Sequence, residues 1–179
     1  SHALDDGVSL RTLRARDAAA LYSLIDGSRD YLREWLPFLD EAQGPDATHG
    51  FILDASRLAD EGKGVAVGIW DREVLVGVIG LTEISARNRH AEIGYWLGHE
   101  HQGRGLMTRA CRAVITYGFD AVGLHRVAIS CAPGNTRSRA IPERLGFVEE
   151  GTMREAEWLY DHFVDNVVYS MLGRDWPAT

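Results

Sequence analysis

Glu92-Ile93-Gly94-Tyr95-Trp96-Leu97, followed by His101-Gln102-Gly103-Arg104-Gly105-Leu106-Met107-Thr108, is the stretch that decides the fold. The first run is strand-like, and residues 109–119 beyond the second are helix-like. A glycine-rich turn between a strand and a helix leaves backbone N–H groups unpaired and aimed at one point, which attracts a phosphate. Gly103 and Gly105 allow close approach of the backbone, and Arg104 adds a fixed positive charge. The competing reading is an ordinary strand-to-helix turn. No Gly-Lys-Ser/Thr follows, so this is not a nucleotide triphosphate loop. The third glycine and the distal acid of a dinucleotide fingerprint are also missing.

Working outward, Arg126–Cys131 reads as another strand. Asn135-Thr136-Arg137-Ser138-Arg139-Ala140-Ile141-Pro142-Glu143-Arg144-Leu145-Gly146-Phe147 reads as a helix, with Asn135 as N-cap and Gly146 as left-handed exit. Upstream, Val8–Leu13 alternates as a strand. Asp17 is placed to cap a helix through Ile25. Residues 31–36 form a short helix stopped by Pro37, and residues 46–61 a third helix with Phe51, Ile52, Ala55 and Leu58 on one face. Residues 65–70 and 74–81 form a hairpin, and residues 147–153 and 163–171 close the chain as another. The order βααα βββ α β α ββ predicts a mixed α/β sheet with helices on both faces. Gly94 inside its strand predicts a bulge or a close backbone approach, and Pro142 predicts a kinked helix.

Composition permits one domain over residues 1–179. Hydrophobic residues make up 45% and charged residues 25% of the chain, which are ordinary globular values. Ser1-His2 lacks an initiator Met and reads as a processed end. No apolar run approaches the roughly 20 residues of a membrane span, and no secretory leader is visible. Cys111 and Cys131 form no CxxC pair and read as small buried residues, so a cytoplasmic setting is expected. The net charge of −7 argues against nucleic acid as a partner. Its distribution matters more. Residues 101–144 hold seven arginines against two acids, which suits a polyanionic cofactor; residues 147–179 hold two arginines against seven acids, which suits a cationic amine. Solvated surface faces are the alternative for both segments. His99 and His101 are read as loop residues, because no third metal ligand is spaced for them.

With an Asn, a Ser three residues on and a Leu-Gly-Phe helix exit downstream of a Gln-x-x-Gly loop, nearly the whole chain resembles the GNAT acyl-CoA N-acetyltransferases. Residues 92–97 and 101–107 are most similar to the RimJ/RimL branch, which acetylates ribosomal-protein N-termini. The resemblance implies a GNAT-like, mostly antiparallel sheet in which the strand before the loop splays from its neighbour to admit a pantetheine arm. It implies acetyl-CoA as cofactor, aligned by the backbone of Tyr95, Trp96 and Leu97. Gln102, Gly103, Arg104, Gly105, Leu106, Met107 and Thr108 would hold the pyrophosphate, with Asn135 and Ser138 beside the thiol.

It further implies catalytic roles for Ser138, as the acid that protonates the departing thiolate, and for Glu157, which binds the amine or takes its proton through a water. A carboxylate next to Trp158 and Tyr160 is expected to have a raised pKa. Glu92 is the second candidate base, against the simpler reading of a salt bridge to a nearby arginine. Trp35 is a candidate pocket wall, and Asp165 is read as structural. RimI-type relatives carry a Tyr where this chain has Pro142 and a Glu where it has Ser130, so a RimI-type mechanism is not expected. The acceptor implied is a protein N-terminal amine; a small amine, antibiotic or aminoacyl nucleotide is the closest alternative. A non-catalytic acyl-CoA sensor is a third reading. The C-terminal hairpin is a candidate for pairing in a homodimer, as family members often are dimers.

Overall fold

The computed structural model describes residues 1–5 and 7–177. One eight-stranded sheet organises them, in the order β1-β2-β3-β4-β5-β6-β8-β7. The strands are β1 (His2–Asp5), β2 (Val8–Thr12), β3 (Val65–Asp71), β4 (Val74–Ser85), β5 (His90–Leu97), β6 (Arg126–Cys131), β7 (Val148–Leu159) and β8 (His162–Leu172). The helices are α1 (Ala18–Asp26), α2 (Arg29–Arg33), α3 (Pro45–Asp60), α4 (Leu106–Asp120) and α5 (Thr136–Arg144). Of the pairings, β5 with β6 is parallel and the others are antiparallel.

 Strand β7 runs from Val148 to Leu159. The fold is the expected mixed α/β sheet, with β8 inserted between β6 and β7 so that β7 forms an edge.

Two apolar cores lie on the two faces of the sheet. On one face, Leu21 and Ile25 of α1, Leu32 of α2 and Ile52 of α3 pack against Trp70, Leu75 and Val78. On the other, Leu106, Ala110, Cys111 and Ile115 of α4 and Ile141 of α5 pack against Ile79, Ile93 and Ile129. Each fully buried aliphatic side chain contributes about 1.5–3 kcal/mol, so the helices are held mainly by these stripes.

Several local expectations are corrected. A strand not expected from the sequence, β1, forms at His2–Asp5 and pairs with β2. Asp17 precedes α1 but does not cap it; its carboxylate accepts the Arg14 N–H at 2.8 Å and closes the preceding turn. Phe51 is exposed, and α3 buries Thr48 and Ile52. Gly94 pairs in regular register with Gly80, and a Cβ there would meet nothing within 4 Å, so neither bulge nor close approach explains it. Helix α5 runs unbroken through Pro142, which sits in its last turns, fully buried. There the missing N–H removes one bond while the helix end is closed by Phe147 N–H donating to Pro142 O at 3.0 Å.

The parallel β5–β6 pairing stops after Glu92↔Ala128, although β5 continues to Leu97 and β6 to Cys131. Beyond that point the two strands splay. Residues Tyr95, Trp96 and Leu97 keep their partners on β4 and turn their other backbone edge to the opening. The site is built in this gap.

Candidate functional site

At the mouth of the splay, Gly103 and Gly105 adopt φ of +75° and +71°, a left-handed geometry that glycine reaches without a Cβ penalty. Gly105 is the N-cap of α4 and supplies no side-chain cap. The first-turn N–H groups of α4 are therefore presented to an anion, reinforced by the helix dipole. A cleft of about 1050 Å³ opens in front of them. Arg104, Arg109, Arg137 and Arg144 line it, with no carboxylate among the described residues of its wall. Leu106 and Met107 are buried in the core, so they serve the cleft through their backbone. Thr108 Oγ1 accepts from Arg144 at 2.9 Å, and Gln102 Oε1 accepts from Arg137. Arg104 departs from expectation: its guanidinium is paired with Asp71 at 2.7 Å, so its charge is shared with the β3–β4 turn.

At the inner end of the cleft, Asn135 caps α5 and its Oδ1 accepts the Ser138 N–H at 3.1 Å. Ser138 Oγ lies 3.3 Å from Tyr95 Oη and 3.2 Å from Cys131 Sγ. Tyr95 Oη donates to the Ser138 carbonyl at 3.0 Å. Burial pushes the Tyr95 phenol well above its usual pKa. Burial also raises the Cys131 thiol, against hydrogen bonds to Ser138 and Tyr95 that lower it. Both groups are thus held in their protonated forms near neutral pH.

A second cavity, about 690 Å³, lies beyond the same point. Trp35, Tyr95, Asn135 and Ser138 line both spaces. The Trp35 ring stands 3.6 Å from where a Cβ of Gly134 would be, beside the α5 cap. Four acids, Asp30, Glu34, Glu157 and Asp161, line this cavity. Its one arginine, Arg33, is paired with Asp40 at 2.9 Å and stacks 3.9 Å from the Tyr160 ring. Tyr160 in turn accepts the Leu39 N–H at 3.2 Å and donates to Leu36 O, pinning the chain after α2.

Glu157 reaches the cavity because β7 carries extra residues between Met153 and Glu157 relative to β8. Glu155, inside that irregularity, has φ +49°, and its N–H is held by Asp165 at 2.8 Å, the structural role expected of Asp165. Trp158 does not shelter Glu157: it lies on the opposite face of β7, half exposed and edge-on to Phe163 at 4.7 Å. Glu92 is not part of either wall. It is half-buried on β5, and burial raises its pKa, with Glu83 adding to the effect. Arg126, the nearby arginine, is engaged by Glu150 through two 2.6 Å bonds. His99 and His101 fall in a short turn, with the His99 ring tilted against Tyr31 at 5.1 Å.

The sequence reading missed Asp30, Glu34, Asp161 and Cys131 as parts of the site. The i,i+4 spacing of Asp30 and Glu34 puts both on one helical face and was the available signal. Nothing in the sequence placed that face against the C-terminal hairpin.

Residues 8–148 match the family described as Acetyltransferase (GNAT) domain. A Bacillus subtilis (strain 168) protein, YdaF, provisionally named a ribosomal N-acetyltransferase, is 38% identical over 98% of this chain and 96% of its own. The solved structure of RimL, the ribosomal L7/L12 alpha-N-protein acetyltransferase with coenzyme A, superposes with a TM-score of 0.91. It is 25% identical and covers 95% of this chain and 96% of that one. The microcin C7 self-immunity acetyltransferase MccE, with acetyl-CoA and AMP, gives a TM-score of 0.89 at 26% identity over 94% of each chain.

Proposed function

The chain belongs to the GNAT acetyltransferase family and uses acetyl-CoA; within that family we propose that it acetylates a primary amine at a protein N-terminus. The observation that carries this reading is the meeting, at Ser138, of an arginine-lined cleft and an acid-lined cavity. The two αL glycines, the open N-terminus of α4 and the four arginines fit a pyrophosphate-bearing cofactor. The free backbone edge of Tyr95, Trp96 and Leu97 fits an extended arm. When bound, acetyl-CoA supplies an acetyl group activated as a thioester.

The residues of this chain then divide the work. Gln102 to Thr108 hold the pyrophosphate, and the β5 edge aligns the arm. Asp30, Glu34 and Asp161 attract a cationic amine into the smaller cavity, and Trp35 walls it. Glu157 takes the proton the amine must lose, directly or through a water. Ser138 Oγ holds the proton that the departing sulfur takes up. Attack is direct, with no covalent enzyme intermediate.

The ribosomal-protein type of acceptor is supported by the likeness to YdaF and RimL. A small amine or aminoacyl nucleotide is the second reading, favoured by the likeness to MccE and by a cavity volume of about 690 Å³ that lies within the small-ligand range. We also read residues 1–179 as one catalytic domain, acting in the cytoplasm. A homodimer is supported by the edge position of β7 and by the half-exposed Trp158 and Phe163 beside it.

The test is thiol release from acetyl-CoA against N-terminal peptides of ribosomal proteins and a panel of small amines. Ser138→Ala and Glu157→Gln should each lower kcat at least tenfold with acetyl-CoA affinity retained, the scale of a lost general acid or base, roughly 10²–10⁴ at full effect. Wild-type turnover in both variants refutes the assigned roles. Turnover of small amines alone moves the acceptor to the second reading.

A further inference from the structure

In a regular helix the carbonyl of Ser138 would accept the N–H of residue 142. Residue 142 is proline and has no N–H, so that acceptor is vacated. The group that takes it is the phenol of Tyr95, on the opposite wall of the splay, at 3.0 Å. Ser138 is thus held at both ends of its backbone: its N–H by Asn135 and its carbonyl by Tyr95.

This arrangement fixes the direction of the hydrogen bonds around the Ser138 hydroxyl. A carbonyl can only accept, so the single Tyr95 proton is committed to Ser138 O. Tyr95 Oη then meets Ser138 as an acceptor, and the Ser138 hydroxyl donates to it at 3.3 Å. With that proton engaged, the Cys131 thiol is the donor in its 3.2 Å contact with Ser138 Oγ. The chain runs Cys131 S–H to Ser138 Oγ–H to Tyr95 Oη–H to Ser138 O. One end is a carbonyl that no N–H of residue 142 occupies, because that residue is proline.

We propose that Pro142 and Tyr95 are paired positioning residues for the acetyl transfer: the proline vacates the Ser138 carbonyl, and the tyrosine uses it to tie α5 to β5 across the splay and to hold Ser138 Oγ in place, its proton resting on Tyr95 Oη until the departing sulfur takes it. Neither acts on the substrate through this contact; both act through Ser138. The inference rests on the proton-donor reading of Ser138 given above. It assigns a side-chain role to Tyr95 in addition to the backbone role in aligning the cofactor arm.

The test is a set of double-mutant cycles on the full chain, with kcat and the KM for acetyl-CoA as readouts and thermal melting as a folding control. Tyr95→Phe keeps the ring and removes only the hydroxyl. It should lower kcat about tenfold, the effect of one hydrogen bond lost from the reacting geometry, with the acetyl-CoA KM within about twofold. Pro142→Ala returns an N–H to the Ser138 carbonyl in competition with Tyr95 and should lower kcat about three- to tenfold by the same argument. In the Tyr95→Phe background, Pro142→Ala should change kcat no further. In the Ser138→Ala background, Tyr95→Phe should also be silent.

Unchanged kcat in Tyr95→Phe overturns the proposal. So does an additive effect in either cycle, because the residues would then act independently. If Pro142→Ala fails to fold, the Tyr95–Ser138 cycle still decides whether Tyr95 acts through Ser138. Wild-type kcat in Ser138→Ala alone refutes the proton-donor reading instead, and the two failures are told apart by that variant.

Discussion

Gly94 offers a direct test of the acceptor cavity, because its missing side chain is the space. A Cβ at this position would meet no atom within 4 Å, and the residue lines the acid-walled cavity and not the arginine-lined cleft. Its φ is not among the positive values, so a side chain is sterically admissible. Glycine in a strand costs about 0.5–1 kcal/mol relative to alanine, so Gly94→Ala should stabilise the fold by that amount. For a chain of this length that is a rise in melting temperature of about 1–4 °C. Activity should move the other way. Each added carbon displaces about one methylene of acceptor contact, worth about 0.8 kcal/mol. Gly94→Ala should therefore lower kcat/KM for the acceptor about fourfold, and Gly94→Leu, with four carbons, about two-hundredfold. The acetyl-CoA KM should stay within about twofold in both, since one cavity is filled and the other is untouched. Steady-state thiol release with varied acceptor, at saturating acetyl-CoA, measures this. A folded Gly94→Leu enzyme with wild-type acceptor kcat/KM would place the amine elsewhere, and the two-cavity reading would be lost.

Two further outcomes follow from the loop and from the C-terminal hairpin. Gly105→Val forces a β-branched residue into φ +71°, which costs about 1–2 kcal/mol and shifts the N–H groups of α4; coenzyme A affinity by calorimetry should fall about tenfold, and an unchanged Kd would remove the pyrophosphate role. Glu150, bonded by Arg126 and by Ser170 Oγ at 2.7 Å, has its carboxyl held down to about 2. A folded-state pKa below the unfolded value gives stability that is present above pH 4.5 and lost as pH falls toward 2. The side chain is 41% exposed, so solvent screening cuts the contribution to about 1 kcal/mol. Chemical denaturation across that window should show the loss in the wild type and its absence in Glu150→Gln, and parallel curves for the two proteins would disprove the assignment.

Much of this architecture was legible because short-range rules decide it. The Gln102–Gly105 turn, the Asn135 cap and the Gly146 exit each depend on a few adjacent residues, and all three form as expected. The features that were not legible depend on partners distant in sequence. Arg104 meets Asp71 because the loop after β5 returns to the end of β3, distant in sequence. Glu157 enters the cavity through an irregularity whose register is set by β8. Trp158 is a different case: strand alternation alone puts it on the face opposite Glu157. Pro142 is the instructive case. Its kink was expected from its own residue type, but the consequence lies four residues back, at the vacated Ser138 carbonyl.

The acid-lined cavity sets a condition on the chemistry that the fold also answers. Carboxylates near an amine stabilise its ammonium form, so the groups that attract the acceptor oppose the deprotonation that attack requires. Binding and reaction are reconciled if the acids that attract the amine and the group that receives its proton are distinct. On the proposed assignment Asp30 and Glu34, from α2 and its end, are separate along the chain from Glu157 on β7, while Asp161 lies in the turn from β7 to β8. The four arginines of the cleft stay on the far side of Ser138, and Arg33, in the cavity wall, is paired with Asp40. Because Trp35, Tyr95, Asn135 and Ser138 are common to both walls, the boundary between the two fields coincides with the proposed point of transfer. A sheet that splays after three parallel residue pairs produces that boundary without a separate domain, since the two strands' continuing ends carry the two chemistries apart.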